Sequence, residues 1–248
     1  MCVLEGPDLI EAALESRTEF EALYVDVQEV KSPDVASIVE KATKAGVRVF
    51  TLGAGVLEKV ADATTPQPLL GAVRFQQPMV TEVACDGLIL VLHDVRDPGN
   101  AGTIIRSADA AGVTGVVLTG QSVDPFNPKT LRATAGSIFH LPVVVSTLEE
   151  TIRHFASGGA QVYATVVRGG TSHREVDFTK PCVVLIGNES DGLDERSVAL
   201  CQASLSIAMA GRSESLNAGV AASLIAFEAL WQRQGTKSSP TPPSLTGT

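Results

Sequence analysis

From Gly87 onward the sequence lays down short, continuous apolar runs: Leu88–Leu92, Gly115–Leu118, Val143–Val145, Gln161–Val166, Cys182–Ile186 and Ala203–Ile207, with helix-like stretches between them. A strand with one wet face alternates apolar and polar residues, whereas a run that is apolar throughout must bury both faces. Buried strands alternating with helices predict an α/β fold with a mostly parallel sheet covered on both sides. No run approaches the roughly 20 residues needed to span a bilayer, so no membrane partner is expected.

The first 77 residues have a different character. Glu5–Ser16 carries Leu9, Ile10, Ala13 and Leu14 on a helical period, with Asp8 as a candidate cap. Glu21–Val25 reads as a strand. Ser32-Pro33-Asp34 opens a helix that runs through Lys44 and ends at Gly46. Val47–Phe50 reads as a second strand and Gly55–Ala61 as a short helix. Pro66, Pro68 and Pro78 then break the pattern. The expected organisation is a smaller α/β domain over 1–77, a linker over 78–86, a larger α/β domain over 87–234 and a disordered Pro/Ser/Thr/Gly tail over 235–248.

With 19 Lys and Arg against 28 Asp and Glu, the net charge is −9, which argues against a general nucleic-acid coat. A local basic cleft on an acidic body remains compatible with an RNA enzyme. Cys2, Cys85, Cys182 and Cys201 show no CxxC pairing, and His93, His140, His154 and His173 are scattered, so no metal is expected. The N-terminus lacks a basic stretch followed by an apolar one, which predicts a cytoplasmic protein without a signal peptide.

The chemistry concentrates in polar, Gly-rich turns that follow buried strands. In His93–Arg106, Gly99, Asn100 and Gly102 favour a tight turn with exposed amides, able to hold an anion at a helix N-terminus. Arg106 lies four residues after Gly102, on one helix face; an ordinary loop with an exposed arginine fits the same spacing. In Val183–Leu193, Glu189 is either a functional acid or a turn residue. In Ile207–Val220, Ser213 and Ser215 are candidate caps for a long apolar helix, with Asn217 in its first turn; a plain capped helix is the alternative. Neither a GxGxxG nor a Walker A loop is present, so nicotinamide or ATP use is not indicated. Ligands of open α/β sheets sit beyond the C-terminal strand ends, where these turns fall together.

In these residues the chain resembles the SpoU branch of the SPOUT RNA methyltransferases. Asn100-x-Gly102-x-x-x-Arg106 with Gly112 looks like the family's first motif, Leu185-Ile-Gly-Asn-Glu189-x-x-Gly192 like the second, and Ile207-x-Met-x-Gly-x-x-x-Ser215-Leu216-Asn217 like the third. The stretch Asn127-Pro-Lys-Thr-Leu-Arg132-Ala-Thr-Ala-Gly136-Ser-Ile-Phe-His-Leu-Pro142 is similar to members that act on large rRNA. Leu4-Glu5-Gly6 before a helix is similar to the L30e-like domain of that subgroup. Its relatives often carry a basic helix ahead of this Glu-Gly, whereas here Met1 stands only a few residues upstream.

The resemblance implies an α/β knot, with roughly 185–220 threaded into a deep trefoil, and a homodimer whose sites draw on both chains. It implies S-adenosylmethionine as cofactor, held by Thr119, Gly120, Leu185, Gly187, Asn188, Gly192, Ile207, Met209, Ser215 and Leu216. The reaction would be transfer of methyl to a ribose 2′-OH, in 23S rRNA. Arg106 would act at the hydroxyl, Glu189 would orient Arg106 or another site group, and Asn100, Ser215 and Asn217 would contact cofactor or ribose. Lys129 and Arg132 are candidate RNA contacts. A tRNA-directed methyltransferase and a non-catalytic RNA-binding dimer are the competing functions.

Overall fold

The computed structural model describes residues 1–60 and 67–235. The larger sheet has seven strands, all parallel: β5 (Leu88–His93), β6 (Gly115–Thr119), β7 (Val143–Val145), β8 (Gln161–Thr165), β9 (Thr171–Ser172), β10 (Cys182–Ile186) and β11 (Ala203–Ser206), in spatial order β7-β6-β5-β10-β8-β11-β9. The apolar runs are the strands, and the reason is visible in β5 and β10. Leu88, Leu90, Leu92, Val184 and Ile186 pack on one face against Ile104, Ile105, Ala222 and Ile225. Ile89, Val91, Val183 and Leu185 pack on the other, against Leu148 and Phe155. Helices α4 (Pro98–Ala110), α5 (Pro128–Thr134) and α8 (Ala218–Gly235) lie on the first face; α6 (Leu148–Ser157) lies on the second. The short α7 (Glu195–Ala199) links β10 to β11.

The smaller sheet holds β1 (Cys2–Glu5), β2 (Glu19–Asp26), β3 (Val49–Leu52) and β4 (Leu69–Arg74), in order β1-β4-β2-β3. Helices α1 (Pro7–Glu15) and α2 (Pro33–Lys44) cover one face of it, and the short α3 (Val56–Val60) follows β3. Two strands escape the sequence pattern. β1 is too short to show a period. β4 carries Gly71, where a side chain would collide with Phe20 packed over it. Asp8 lies in the first turn of α1 rather than at its cap, which is Gly6, a left-handed position at φ 101°. The tail expected to be disordered lies outside the described residues, apart from Gly235, which closes α8.

The stretch 78–86 is pinned to the core at two points. Its 3₁₀ turn, Val80–Glu82, buries Val80 and Val83 beneath α6. The two sheets also meet directly. Phe75 packs on Phe126 and Phe139, with ring centroids 4.7 and 5.9 Å apart. Gly136, at φ 90°, leaves only 2.6 Å between the place of a Cβ and Ala12 of α1. Arg132 Nη1 donates to Glu5 Oε2 at 3.0 Å, and the Glu5 side chain is only 7% exposed. Arg132, expected to touch RNA, is therefore committed to an ion pair between the two sheets; Lys129 stays exposed on α5. Burial pushes the Cys182 thiol up to about 11 in spite of Arg233, and that of Cys201 also to about 11, so neither is a ready nucleophile. Among the described residues no helix is long and apolar enough to cross a membrane.

Glu5 Oε1 is buried with no hydrogen-bond partner among the described residues, so the carboxylate depends on Arg132. Arg132→Ala should cost about 3–5 kcal/mol by stranding that charge, whereas Glu5→Gln with Arg132→Met should recover most of it. Urea unfolding of both variants is the measurement; a single variant as stable as the parent would contradict the assignment.

Candidate active site

The parallel pairing of β5 with β10 matches Leu88 to Cys182 and Leu92 to Ile186. Their C-terminal ends therefore release two loops side by side, His93–Asp97 and Gly187–Gly192. In the first, Asp97 caps α4, its Oδ1 accepting from Asn100 N at 2.7 Å, with Pro98 as the first helical residue. In the second, Asn188 folds the turn: its Oδ1 accepts from Ser190 N at 2.8 Å, and its Nδ2 reaches the Asp94 carbonyl at 2.8 Å.

Glu189 joins the loops. Its Oε1 accepts from Asn100 Nδ2 at 2.9 Å and from Asp97 N at 3.3 Å, and its Oε2 accepts from Arg96 N at 3.4 Å. The anion expected at this helix N-terminus is thus the protein's own carboxylate. Partial burial pushes the Glu189 carboxyl up, but the hydrogen bonds from Asn100 and the two amides outweigh it and hold the group below its ordinary value. The chain of contacts continues, since Asn217 Nδ2 donates to Asn100 Oδ1 at 2.8 Å. Asn217 itself caps α8, its Oδ1 accepting from Val220 N at 3.2 Å and its carbonyl from Ala221 N at 2.9 Å. That role had been expected of Ser213 or Ser215; Ser213 Oγ instead donates to the Ser215 carbonyl at 2.8 Å.

An open cleft lies at the ends of β8, β10 and β11. Its walls include Gly187, Asn188, Glu189, Gly192, Ile207, Met209, Ser215 and Leu216, all expected from the sequence. Thr165, Val166, Val167, Ile186, Ser190, Asp191, Leu205, Ser206, Ala218 and Ala221 complete it and are not among the residues expected from the sequence. Their signal was position alone: they follow strand ends or open a helix, and only the strand order shows which ends are neighbours. Gly187 admits no side chain, because a Cβ would lie 2.4 Å from the Gly192 carbonyl carbon.

Several expected site residues stand outside the cleft lining. Leu185 is fully buried beneath the cleft in the α6-side core. Thr119 is buried and bonded to His93 Nδ1 at 2.9 Å, and Gly120 borders a separate hollow with His93 and Ser146. Both sit at the C-terminal end of β6, on the far side of β5 from the cleft. Gly102 is not a turn glycine; it lies inside α4, where a Cβ would stand 2.3 Å from Ala133 Cβ. Arg106 does not meet Glu189. It is exposed and makes no hydrogen bond or ion pair with any of the described residues. On the same helix, Ser107 Oγ bonds Ser223 Oγ of α8 at 2.7 Å, and Arg106, about 100° around the helix from Ser107, lies off that packed seam.

The cleft suits a cationic cofactor. Its charged lining residues are Glu189 and Asp191, with no Lys or Arg, which disfavours phosphate-bearing cofactors and favours a sulfonium or ammonium group. Apolar walls from Val166, Ile186, Leu205, Ile207 and Leu216 offer a slot for a flat ring beside backbone donors and acceptors.

The family profile described as the SpoU rRNA Methylase family matches residues 87–227, and the chain belongs to that family. A second profile, the MRM3-like substrate binding domain, matches residues 1–71. Among curated relatives, the chain is 31% identical over 225 residues to the 23S rRNA (guanosine(2553)-2′-O)-methyltransferase RlmP of Bacillus subtilis, covering 91% of this chain and 86% of the relative. Among solved structures, it is similar to the AdoMet-bound rRNA methyltransferase of Sinorhizobium meliloti, at 33% identity and a TM-score of 0.82, covering 96% and 88% of the two chains. It is also similar to the SpoU methyltransferase AviRb of Streptomyces viridochromogenes in complex with AdoMet, at 28% identity and a TM-score of 0.81, covering 94% and 90%.

The depressed Glu189 carboxyl gives a pH signature. A group held below its ordinary value contributes fully above the ordinary carboxylate range, and the contribution disappears as pH falls through the folded-state value. Glu189→Gln should cost about 0.5–1 kcal/mol at neutral pH, and the gap to the parent should close in acid. Urea unfolding at neutral and acid pH measures it; a gap that persists unchanged in acid would remove the charge from the account.

Proposed function

We propose that the chain transfers the methyl group of S-adenosylmethionine to a ribose 2′-OH of 23S rRNA, as a homodimer. The observation that carries this reading is the acid-lined, phosphate-averse cleft joined to the Glu189–Asn100–Asn217 chain, in a member of the SpoU family. The 2′-O position and the 23S target draw support from the name of the Bacillus subtilis relative, matched over most of both chains.

When bound, S-adenosylmethionine supplies an already activated methyl group and leaves as a neutral thioether. The protein's task is orientation and management of the hydroxyl proton. Ile207, Met209 and Leu216 would hold the cofactor's flat ring, and Glu189 and Asp191 would offer negative charge to its cationic group. Asn100 is fixed by Glu189 on one side and by Asn217 on the other, so the N-terminus of α4 is held rigidly beside the cleft. A guanidinium keeps its proton in a protein and has no free pair to accept another, so Arg106 is not the base. Its role is to hold the ribose hydroxyl and stabilise the developing alkoxide, while an RNA phosphate or solvent takes the proton.

In this reading Arg106 serves the cleft of the partner subunit. Its outward position supports that, and so does the neighbouring α8, which exposes Val220, Leu224 and Trp231 as an apolar stripe at helical spacing. The trefoil knot belongs to the same proposal. It is supported by membership of the SpoU family and by the likeness to solved SpoU methyltransferases.

Arg106→Ala is expected to abolish methyl transfer to rRNA and leave S-adenosylmethionine binding intact. Labelled cofactor, total RNA and mapping of the labelled nucleotide provide the assay; unchanged turnover would take Arg106 out of the mechanism, and label on a base would refute the ribose assignment. Complementation tests the shared site. An Arg106→Ala chain mixed with a Gly187→Val chain, whose own cleft is blocked, should regain part of the activity in the mixed dimer, and no recovery would place Arg106 at its own cleft.

A further inference from the structure

Among the described residues, three that are not glycine hold a left-handed backbone: Arg17, Asp94 and Ala135. Arg17 and Ala135 follow the last turns of α1 and α5, where a chain leaving a helix commonly turns this way. Asp94, at φ 57°, is different, because it is the first residue beyond β5, at the sheet end that carries the cleft. Glycine adopts this conformation freely; aspartate and asparagine are the side chains that tolerate it, since a short polar group can bond locally.

The left-handed turn decides where the backbone of Asp94 points. In an extended strand, the N–H and C=O of one residue face the same neighbouring strand. Asp94 N donates to Thr119 O at 3.2 Å, on the β6 side. Continued extension would send the Asp94 carbonyl the same way. The turn sends it instead toward β10, where it accepts from Asn188 Nδ2 at 2.8 Å. One residue thus ties the ends of β6 and β10 together across β5. The carboxylate secures the arrangement. Its Oδ1 accepts from Gln121 N at 2.6 Å and lies against Gly120, where a Cβ would collide with it. Gly120 is bare to make room for Asp94.

Asn188 passes the constraint on. Its Oδ1 accepts from Ser190 N at 2.8 Å and from Asp191 N at 3.4 Å, and its backbone exchanges hydrogen bonds with Gly192 at 3.1 and 3.0 Å. These four residues wall the cleft, and Asp94 does not. A carboxamide held at its nitrogen cannot swing, so its oxygen stays where it gathers the amides of the turn. We propose that Asp94 is a positioning residue for cofactor binding: its left-handed backbone holds Asn188, and Asn188 holds the turn that meets S-adenosylmethionine. The proposal rests on the reading of the chain as an S-adenosylmethionine-dependent methyltransferase. Asp94 acts on affinity for the cofactor, because a turn already ordered binds without the cost of ordering it.

The test uses the full chain, with S-adenosylmethionine binding by calorimetry, rRNA methylation kinetics and urea unfolding measured on the same samples. Asp94→Asn keeps an acceptor for Gln121 and suits the left-handed backbone, so it should bind cofactor as the parent does. Asp94→Ala lacks the acceptor and fits the backbone poorly. It should weaken cofactor binding about tenfold, raising KM for S-adenosylmethionine while kcat at saturating cofactor and KM for rRNA stay at the parent's values. Asp94→Gly adopts the backbone without strain and lacks only the carboxylate. It should lose less affinity than the alanine variant, and it carries the test if that variant does not fold. A chain with both Asp94→Ala and Asn188→Ala should bind little worse than Asn188→Ala alone, because the two residues act as one unit. Parent-like affinity in Asp94→Ala, or in Asp94→Gly where alanine does not fold, would overturn the proposal even if stability falls. Additive losses in the combined chain, or a loss of kcat in place of affinity, would overturn it too. A parent chain that binds no S-adenosylmethionine would overturn the functional reading itself; one that binds and methylates, with the Asp94 variants unaffected, would overturn this inference alone.

Discussion

Everything at the site follows from β5 and β10 lying side by side in parallel. The two strands are nearly a hundred residues apart in sequence, yet their register is continuous from Leu88–Cys182 to Leu92–Ile186. Both are apolar on both faces, so neither can sit at an edge or turn a side to water. Parallel strands end at the same side of the sheet, and the loops that leave them must therefore emerge together. Glu189 meets the N-terminus of α4 for that reason, and Asn100 then reaches Asn217 at the start of α8. A carboxylate, two carboxamides and a helix N-terminus fix one another's orientation beside the cleft.

The same constraint separates what the cleft binds from what it excludes. Donors at a helix N-terminus usually attract phosphate. Here the Arg96 and Asp97 amides are spent on Glu189 and the Asn100 amide on Asp97, so the helix presents no free anion site. The remaining charge at the cleft is negative. A net charge of −9 does not by itself oppose chemistry on RNA, because basic groups gathered locally are enough to meet phosphate.

The smaller sheet is held rather than tethered. The Glu5–Arg132 pair, the Phe75 aromatic cluster and the close approach of Gly136 to Ala12 combine charge, apolar contact and backbone proximity at one seam. Substrate placement can then be set by structure rather than by a flexible search.

The sequence by itself determined six strands of the larger sheet, whose apolar runs mark them, and it determined which turns carry polar groups; the seventh, β9, is the polar pair Thr171–Ser172 and left no such run. It also marked Glu189, Asn100 and Asn217. It did not reveal β1 or β4, whose residues are short in number or interrupted by Gly71. Only the tertiary structure decided what those polar groups do. Arg132 read as a phosphate contact and is an ion pair across the seam, since its partner Glu5 lies 127 residues away. Thr119 and Gly120 read as cofactor contacts and stand at the end of β6, apart from the cleft at β8, β10 and β11, because strand order is not chain order. Gly102 read as a turn residue and lets α4 approach α5. Periodicity reports which face of an element is buried; which element covers that face, and which strand ends become neighbours, is set by long-range packing.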